Sequence, residues 1–180
     1  MYTRYLKPFM DFTLAILLLP ILLPIFLAVF FILFFTNQGK VFFVQIRPGY
    51  KGKPFRLFKF RTLKDTTGTD EERATLIGRI LRKIYLDELP QILNILKGEM
   101  SWVGPRPLLM EYMQIYTPQQ HQRHQVKPGI TGLAQIKENK NAPLNEKIHW
   151  DLLYVQHISF TLDMKILGET FKHLINTHKH

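Results

Sequence analysis

The chain has 180 residues, 24 Lys and Arg against 14 Asp and Glu, a formal net charge of +10, and no cysteine. That length suits one compact domain plus an appendage, and the missing cysteines exclude both a disulfide framework and a thiolate metal site. The basic excess fits nucleic acid, an anionic membrane surface or phosphorylated substrates, and only its distribution along the chain can choose among them.

From Phe12 to Phe35 every residue except Thr13 is apolar or proline. A helix of this length can cross the hydrocarbon core of a bilayer. A cleaved signal peptide fits poorly, because the apolar region is too long and no small-residue cleavage site follows Phe35. Pro20 and Pro24 lie mid-run; each removes a backbone donor and crowds the preceding turn, so a kink or break is expected. Arg4 and Lys7 precede the run, seven cations from Lys40 to Arg61 follow it, and no acid occurs between Asp11 and Asp65. Either flank therefore satisfies the positive-inside rule. A kinked spanning helix and a re-entrant helix that turns at the prolines both remain open at this point.

Val41 to Val44 and Phe55 to Phe60 read as short extended segments around the turn-forming Arg47-Pro48-Gly49-Tyr50-Lys51-Gly52. Thr66 to Asp70 reads as a surface loop. Leu76, Ile77, Ile80, Leu81 and Ile84 recur at helical spacing between Arg79, Arg82 and Lys83, which predicts a basic amphipathic helix for the core or a membrane surface. Ile92 to Leu96 predicts a helix ending near Gly98, Leu108 to Tyr116 another, Lys127 to Gly132 a loop, and Ile148 to Val155 and Leu162 to Ile175 the closing helices. Phe55, Phe58, Phe60 and Trp102 suit either a core or the headgroup depth of a membrane. The expected fold class is α/β, mostly helical, on a membrane anchor.

Asp87-Glu88-Leu89-Pro90-Gln91 is the most informative stretch. Local physics is satisfied by a capped helix, with Asp87 as N-cap, Glu88 in the first turn and Pro90 where amides lack intrahelical partners. The same geometry permits chemistry: one carboxylate attacks phosphorus while its neighbour holds a hard cation such as Mg2+. Cations to neutralise phosphate are at hand in Lys59, Arg61, Arg106 and Lys127, each of which suits a solvated surface equally well when taken singly. His121 and His124 are three apart, but no third ligand accompanies them, so an exposed helix surface is expected rather than a metal site. A glycine-rich P-loop, His-Glu-x-x-His and a nucleophile elbow are all absent.

Taken together, Gln45-Ile46-Arg47-Pro48-Gly49, Phe58-Lys59-Phe60-Arg61-Thr62, Leu86 to Gln91, Gly98-Glu99-Met100-Ser101, Val103-Gly104-Pro105-Arg106-Pro107 and Pro128 to Gln135 resemble the small monotopic phosphoglycosyl transferases of the bacterial sugar transferase family. The segments keep the family's order and cover nearly the whole chain. The resemblance implies a re-entrant membrane helix over 1–36, broken at Pro24 with Pro20 beside it. It implies a compact membrane-associated catalytic domain over 37–180, with amphipathic interfacial helices and short strands, on the cytoplasmic face of the bacterial inner membrane.

The implied reaction moves a sugar-1-phosphate from a UDP-sugar to undecaprenyl phosphate, through attack by Asp87 on the β-phosphate, release of UMP and a covalent intermediate. Glu88 would bind Mg2+, and Lys59, Arg61, Arg106 and Lys127 would handle phosphates. The short chain resembles members acting on N-acetylated amino sugars, and no nucleic-acid partner is implied. Four positions depart from the family's pattern. Leu23 precedes Pro24 where Ser is common, Tyr85 replaces a Ser or Thr, and Lys127 replaces an Arg. Ile136 to Lys140 replaces an Asn-Gly-Arg stretch, with Lys140 as the candidate substitute for its arginine.

Overall fold

The computed structural model describes residues 1–137 and 142–177. A single π turn over Tyr2–Leu6 leads into α1, Lys7–Thr36, which continues through both Pro20 and Pro24. Neither proline can donate to the carbonyl four residues back, so the ladder lacks its donor toward Ile16 and Pro20. At 1.5 Å per residue the helix is about 45 Å long. Its outer face is a continuous apolar surface that includes Phe9, Leu17, Ile21, Leu23, Phe31 and Phe35, all exposed. A patch of this size is what membrane-embedded segments present.

The inner face of α1 belongs to the domain cores. Ala15 packs with Phe55, Leu57, Ile92, Ile95 and Met100, and Val29 and Leu33 pack with Val41, Phe60 and Leu81. Both ends of the helix are tied to the same body. Lys7 Nζ lies 2.6 Å from Asp163, and the Trp102 indole donates to the Asp11 carbonyl at 3.0 Å. At the other end, Asn37 Nδ2 donates to the Arg61 carbonyl at 3.0 Å.

Strands β1 (Phe42–Pro48) and β2 (Pro54–Phe60) form an antiparallel hairpin whose register runs from Phe42 opposite Phe60 to Pro48 opposite Pro54. The expected turn chemistry closes it: Lys51 and Gly52 take positive φ. Phe55 and Phe60 are core, Phe58 is half-buried under Lys97, and Trp102 packs against two cores. Then follow α2 (Asp70–Arg73), capped by Thr69, and α3 (Leu76–Lys83), capped by Thr75. The apolar stripe expected of α3 divides. Ile77 and Leu81 enter the core, while Leu76 and Ile80 stand exposed.

A 3-10 helix over Leu86–Gln91 runs into α4, Ile92–Leu96, and Gly98 at φ +74° ends that helix as expected. After β3 (Ser101–Val103) comes a 3-10 helix over Met110–Gln114, shorter and tighter than the helix expected over Leu108 to Tyr116. Then come α5 (Pro118–His121), β4 (Gly129–Thr131), α6 (Leu133–Lys137), α7 (Leu144–His157) and α8 (Phe160–Thr177). The stretch from Lys127 to Gly132, expected to be a loop, contains a strand: β4 pairs in parallel with β3. Three residues are too few to show a period of two, and the partner is distant in sequence.

Glycine makes that pairing possible. A Cβ on Gly129 would lie 2.1 Å from the Gly104 nitrogen, one on Gly104 2.4 Å from the Lys127 carbonyl oxygen, and one on Gly132 2.3 Å from the Gly104 carbonyl oxygen. Backbone meets backbone here with no room for a side chain. This contact brings the Gly104-Pro105-Arg106-Pro107 loop against Lys127-Pro128-Gly129.

Candidate active site

The Asp87-Glu88 pair is not a helix cap. Tyr85 occupies the N-cap position in the left-handed region at φ 59°, and no side chain caps the 3-10 turn that follows. The expectation of Asp87 as N-cap fails because the chain reverses at Tyr85 and places both acids inside the first turn. With three residues per turn, adjacent side chains diverge by about 120°. The turn is held from below by Asn94, which is fully buried. Its side chain accepts from Phe58 N and donates to the Arg56 carbonyl and to Glu99, locking α4 to β2. Lys59 on β2 is thereby set beside Glu88.

Glu88 is a buried hub. Its Oε1 accepts from Lys59 Nζ at 2.7 Å and from Arg106 Nη2 at 2.5 Å. Burial pushes its carboxyl up, but the charges of Arg106 and Lys59 and their hydrogen bonds outweigh burial and hold it at about 2. Asp87 is equally buried, yet among the described residues its carboxylate accepts no hydrogen bond. Burial and then the Glu88 charge push its carboxyl above the ordinary value, against the pull of Lys59, Arg82 and Arg106. Two neighbouring acids are thus driven apart, one locked as a permanent anion and the other left with unengaged lone pairs inside a ring of cations.

The structure brings Asp87, Glu88, Lys59 and Arg106 together. Among the described residues the other two expected phosphate ligands make no hydrogen bond or ion pair with these acids and have their own surroundings. Arg61 pairs with the exposed Asp65 and reaches the Phe42 carbonyl. Lys127 is half-buried, with Nζ 3.5 Å from where a Cβ on Gly98 would lie. His124 is not the exposed surface histidine expected. It is buried, and desolvation, followed by the Arg123 and His121 charges, lowers its imidazole to about 4. Among the described residues no group of three His, Cys, Asp or Glu could hold a metal. Lys140 lies outside the described residues, whereas Lys137 lies over the Trp150 ring.

Sequence reasoning missed four residues around the site. Arg82, read there only as the polar face of α3, acts on Asp87 and donates to Asp70 at 2.8 Å. Its place five residues before Asp87 was the available signal. Arg47 stood in the Gln45 to Gly49 motif but was read only as part of a turn; Arg123 and Asp151 gave no signal, being 28 residues apart yet forming a buried pair at 2.6 Å.

A donor set of two carboxylates is too small for a resident metal cage. It suits Mg2+ of the kind that takes one or two carboxylates and completes its shell with substrate phosphates and water. A cationic ring around a carboxylate with free lone pairs, beside a long apolar helix, is fitted to a phosphorylated substrate at a membrane.

Comparison with known proteins agrees with this reading. The family model described as bacterial sugar transferase matches residues 2–177. The chain is 47% identical over 176 residues to an uncharacterized sugar transferase, EpsL, of Bacillus subtilis, covering 94% of this chain and 87% of that one. It is 41% identical over 158 residues to a UDP-glucose:undecaprenyl-phosphate glucose-1-phosphate transferase of Klebsiella pneumoniae, covering 78% of this chain but 34% of the larger protein. It is 32% identical over 185 residues to a UDP-N-acetylgalactosamine-undecaprenyl-phosphate N-acetylgalactosaminephosphotransferase of Aeromonas hydrophila, covering 95% and 44%. With a family model spanning nearly its whole length and a relative 47% identical over 94% of it, the chain belongs to the bacterial sugar transferases.

Proposed function

We propose that this enzyme transfers a sugar-1-phosphate from a UDP-sugar to undecaprenyl phosphate and releases UMP. The observation that carries the reading is the unequal pair: Glu88 is held through Oε1 by both Lys59 and Arg106, while Asp87 has unengaged oxygens within their field. Two of the relatives named above are described as acting on UDP-glucose or UDP-N-acetylgalactosamine and undecaprenyl phosphate, which supports the substrate class.

An Asp87 carboxylate oxygen attacks the β-phosphorus, the bond to the bridging oxygen breaks, and UMP leaves with that electron pair. An oxygen of undecaprenyl phosphate then attacks the same phosphorus and the Asp87 carboxylate departs, so the enzyme is restored with no net proton change. Lys59 and Arg106 would meet the charge that builds on the equatorial oxygens, and their hold on Glu88 keeps them oriented before substrate arrives. Asp87 and Glu88 would hold Mg2+ together with the diphosphate, and the ion would supply charge neutralisation.

We place the reaction at the cytoplasmic face of the inner membrane, with α1 re-entrant. Both of its ends bind one body, through Lys7 to Asp163 and Asn37 to the Arg61 carbonyl, which supports entry and exit on the same side.

UMP release from full-length protein in lipid nanodiscs tests the function. UDP-glucose, UDP-N-acetylglucosamine and UDP-N-acetylgalactosamine are each supplied with undecaprenyl phosphate, with and without Mg2+. Mg2+-dependent release supports the reaction and identifies the donor. No release with any donor from folded protein rejects it. Without undecaprenyl phosphate, a sugar-phosphate adduct on the Asp87 peptide, read by mass spectrometry, marks the intermediate; an adduct elsewhere removes Asp87 as nucleophile.

A further inference from the structure

Arg106 lies between Pro105 and Pro107, so two of the three residues in this loop have no N–H to donate. The loop can be fastened mainly through its carbonyls, and all three are taken. Gly129 N donates to the Pro105 oxygen at 3.1 Å, Arg123 Nη2 to the Arg106 oxygen at 2.7 Å, and Arg47 Nη1 to the Pro107 oxygen at 3.3 Å. Arg123 is itself fixed on every side. Its side chain is 1% exposed. Nε and Nη2 donate to Asp151 Oδ2 at 3.1 and 2.6 Å, and Nη1 donates to the Tyr116 hydroxyl at 3.3 Å. Asp151 stands on α7, an element with no residue in the Asp87 site.

Stability gives little reason to keep such a pair. A buried ion pair is often replaced by apolar residues of similar size without loss, because desolvation offsets the attraction. A guanidinium does what an apolar residue cannot: it donates to Asp151, Tyr116 and the Arg106 carbonyl at once. The chain Asp151, Arg123, Arg106 main chain, Arg106 guanidinium, Glu88 is continuous through hydrogen bonds.

We propose that Arg123, held by Asp151, is a positioning residue that fixes the Arg106 main chain so that its guanidinium meets Glu88 and the substrate diphosphate, with Arg47 bracing the loop from its other side. The link to turnover rests on the function proposed above; the effect on Arg106 itself does not. Loss of the brace displaces a phosphate-binding group, and a shift near 1 Å can cost about 100-fold in rate.

Arg123→Met alone would strand Asp151 as a buried charge, so the test uses Arg123→Met/Asp151→Leu in the full chain, in nanodiscs, beside Arg106→Gln and the triple variant. The double variant keeps a cooperative melt and releases UMP about 100-fold more slowly. The triple variant is no slower than Arg106→Gln, because Arg123 acts through Arg106. A wild-type rate in the double variant, or a triple variant that loses the product of both effects, overturns the proposal. A second readout needs no turnover: the guanidinium carbon resonance of Arg106, assigned by its loss in Arg106→Gln, moves toward the position of free arginine in the double variant. An unmoved signal also overturns the proposal. If wild type releases no UMP while that signal moves, the reaction assignment fails and the positioning of Arg106 holds. Should the double variant not fold, Arg123→Lys keeps the charge on Asp151 but loses the fork, and the same two readouts decide.

Discussion

Two buried acids in this molecule sit beside cations and have opposite fates. Asp163 on α8 is saturated: Oδ2 accepts from Lys7 Nζ at 2.6 Å and the Tyr2 hydroxyl at 2.5 Å, and Oδ1 from the Tyr154 hydroxyl at 2.8 Å. Asp87, equally enclosed, accepts no hydrogen bond among the described residues and feels its cations only through space. A carboxylate with both oxygens engaged is a fastener, here joining α1 and the turn before it to α8. A buried carboxylate left unbonded keeps its lone pairs free, which is what the function proposed above asks of Asp87. Burial alone does not separate the two; hydrogen-bond saturation does.

The sharpest way to break this comparison is to neutralise each acid. Asp87→Asn should reduce UMP release by at least about 1,000-fold, as expected when a covalent nucleophile is removed, in protein that still melts cooperatively. Equal release from both proteins would dissolve the distinction. Asp163→Asn should do the reverse. It leaves Lys7 buried without its counter-charge, costing about 3–5 kcal/mol in denaturant unfolding, while turnover per folded molecule is preserved. Gly129→Ala comes next. Its Cβ would collide with the Gly104 backbone and part β3 from β4, at about 1–3 kcal/mol, with UMP release falling as the Arg106 loop shifts.

The smallest effect is one of pH. Because burial and Glu88 raise Asp87, the folded state takes up that proton more readily than the unfolded chain, and the ionised form weakens the fold. Asp87→Asn should therefore raise the melting temperature at neutral pH, by roughly 2–4 °C for each 1 kcal/mol relieved. The gain should vanish below the ordinary Asp value of 3.8. The same shift puts the acid limb of the activity profile above that value. Glu88 has the opposite sign. Its stabilising pairs with Lys59 and Arg106 are complete above the ordinary Glu value of 4.5 and are lost as pH falls toward about 2. A melting profile without these opposed slopes would show that the two acids share one environment after all.

Much was legible in the residues themselves. The long apolar helix, the hairpin, the basic helix over Leu76 to Lys83 and the acid pair each have a local signature: an unbroken apolar run, a Pro-Gly turn, a 3.6-residue repeat, two adjacent carboxylates close to Pro. Lys59 and Arg106 could be named because their segments are distinctive. The double engagement of Glu88 Oε1, the exposure of Asp87 to charge alone, and the pairing of Arg61 with Asp65 could not be read, because each depends on what β2, the 3-10 turn and the loops around them bring into one place.

Sequence by itself determined the elements that need only their own neighbours, since helix periodicity, turn chemistry and apolar length are local properties. It also determined, through its ordered motifs, the family. Only the tertiary structure decided that Asp87 is not a cap, that Lys127-Pro128-Gly129 runs into a strand, that His124 is buried, and that Arg123 reaches the Arg106 carbonyl. Each rests on contacts between segments tens of residues apart, where close approach of glycine backbones and competition for a few buried hydrogen bonds set the geometry, and no local pattern records either.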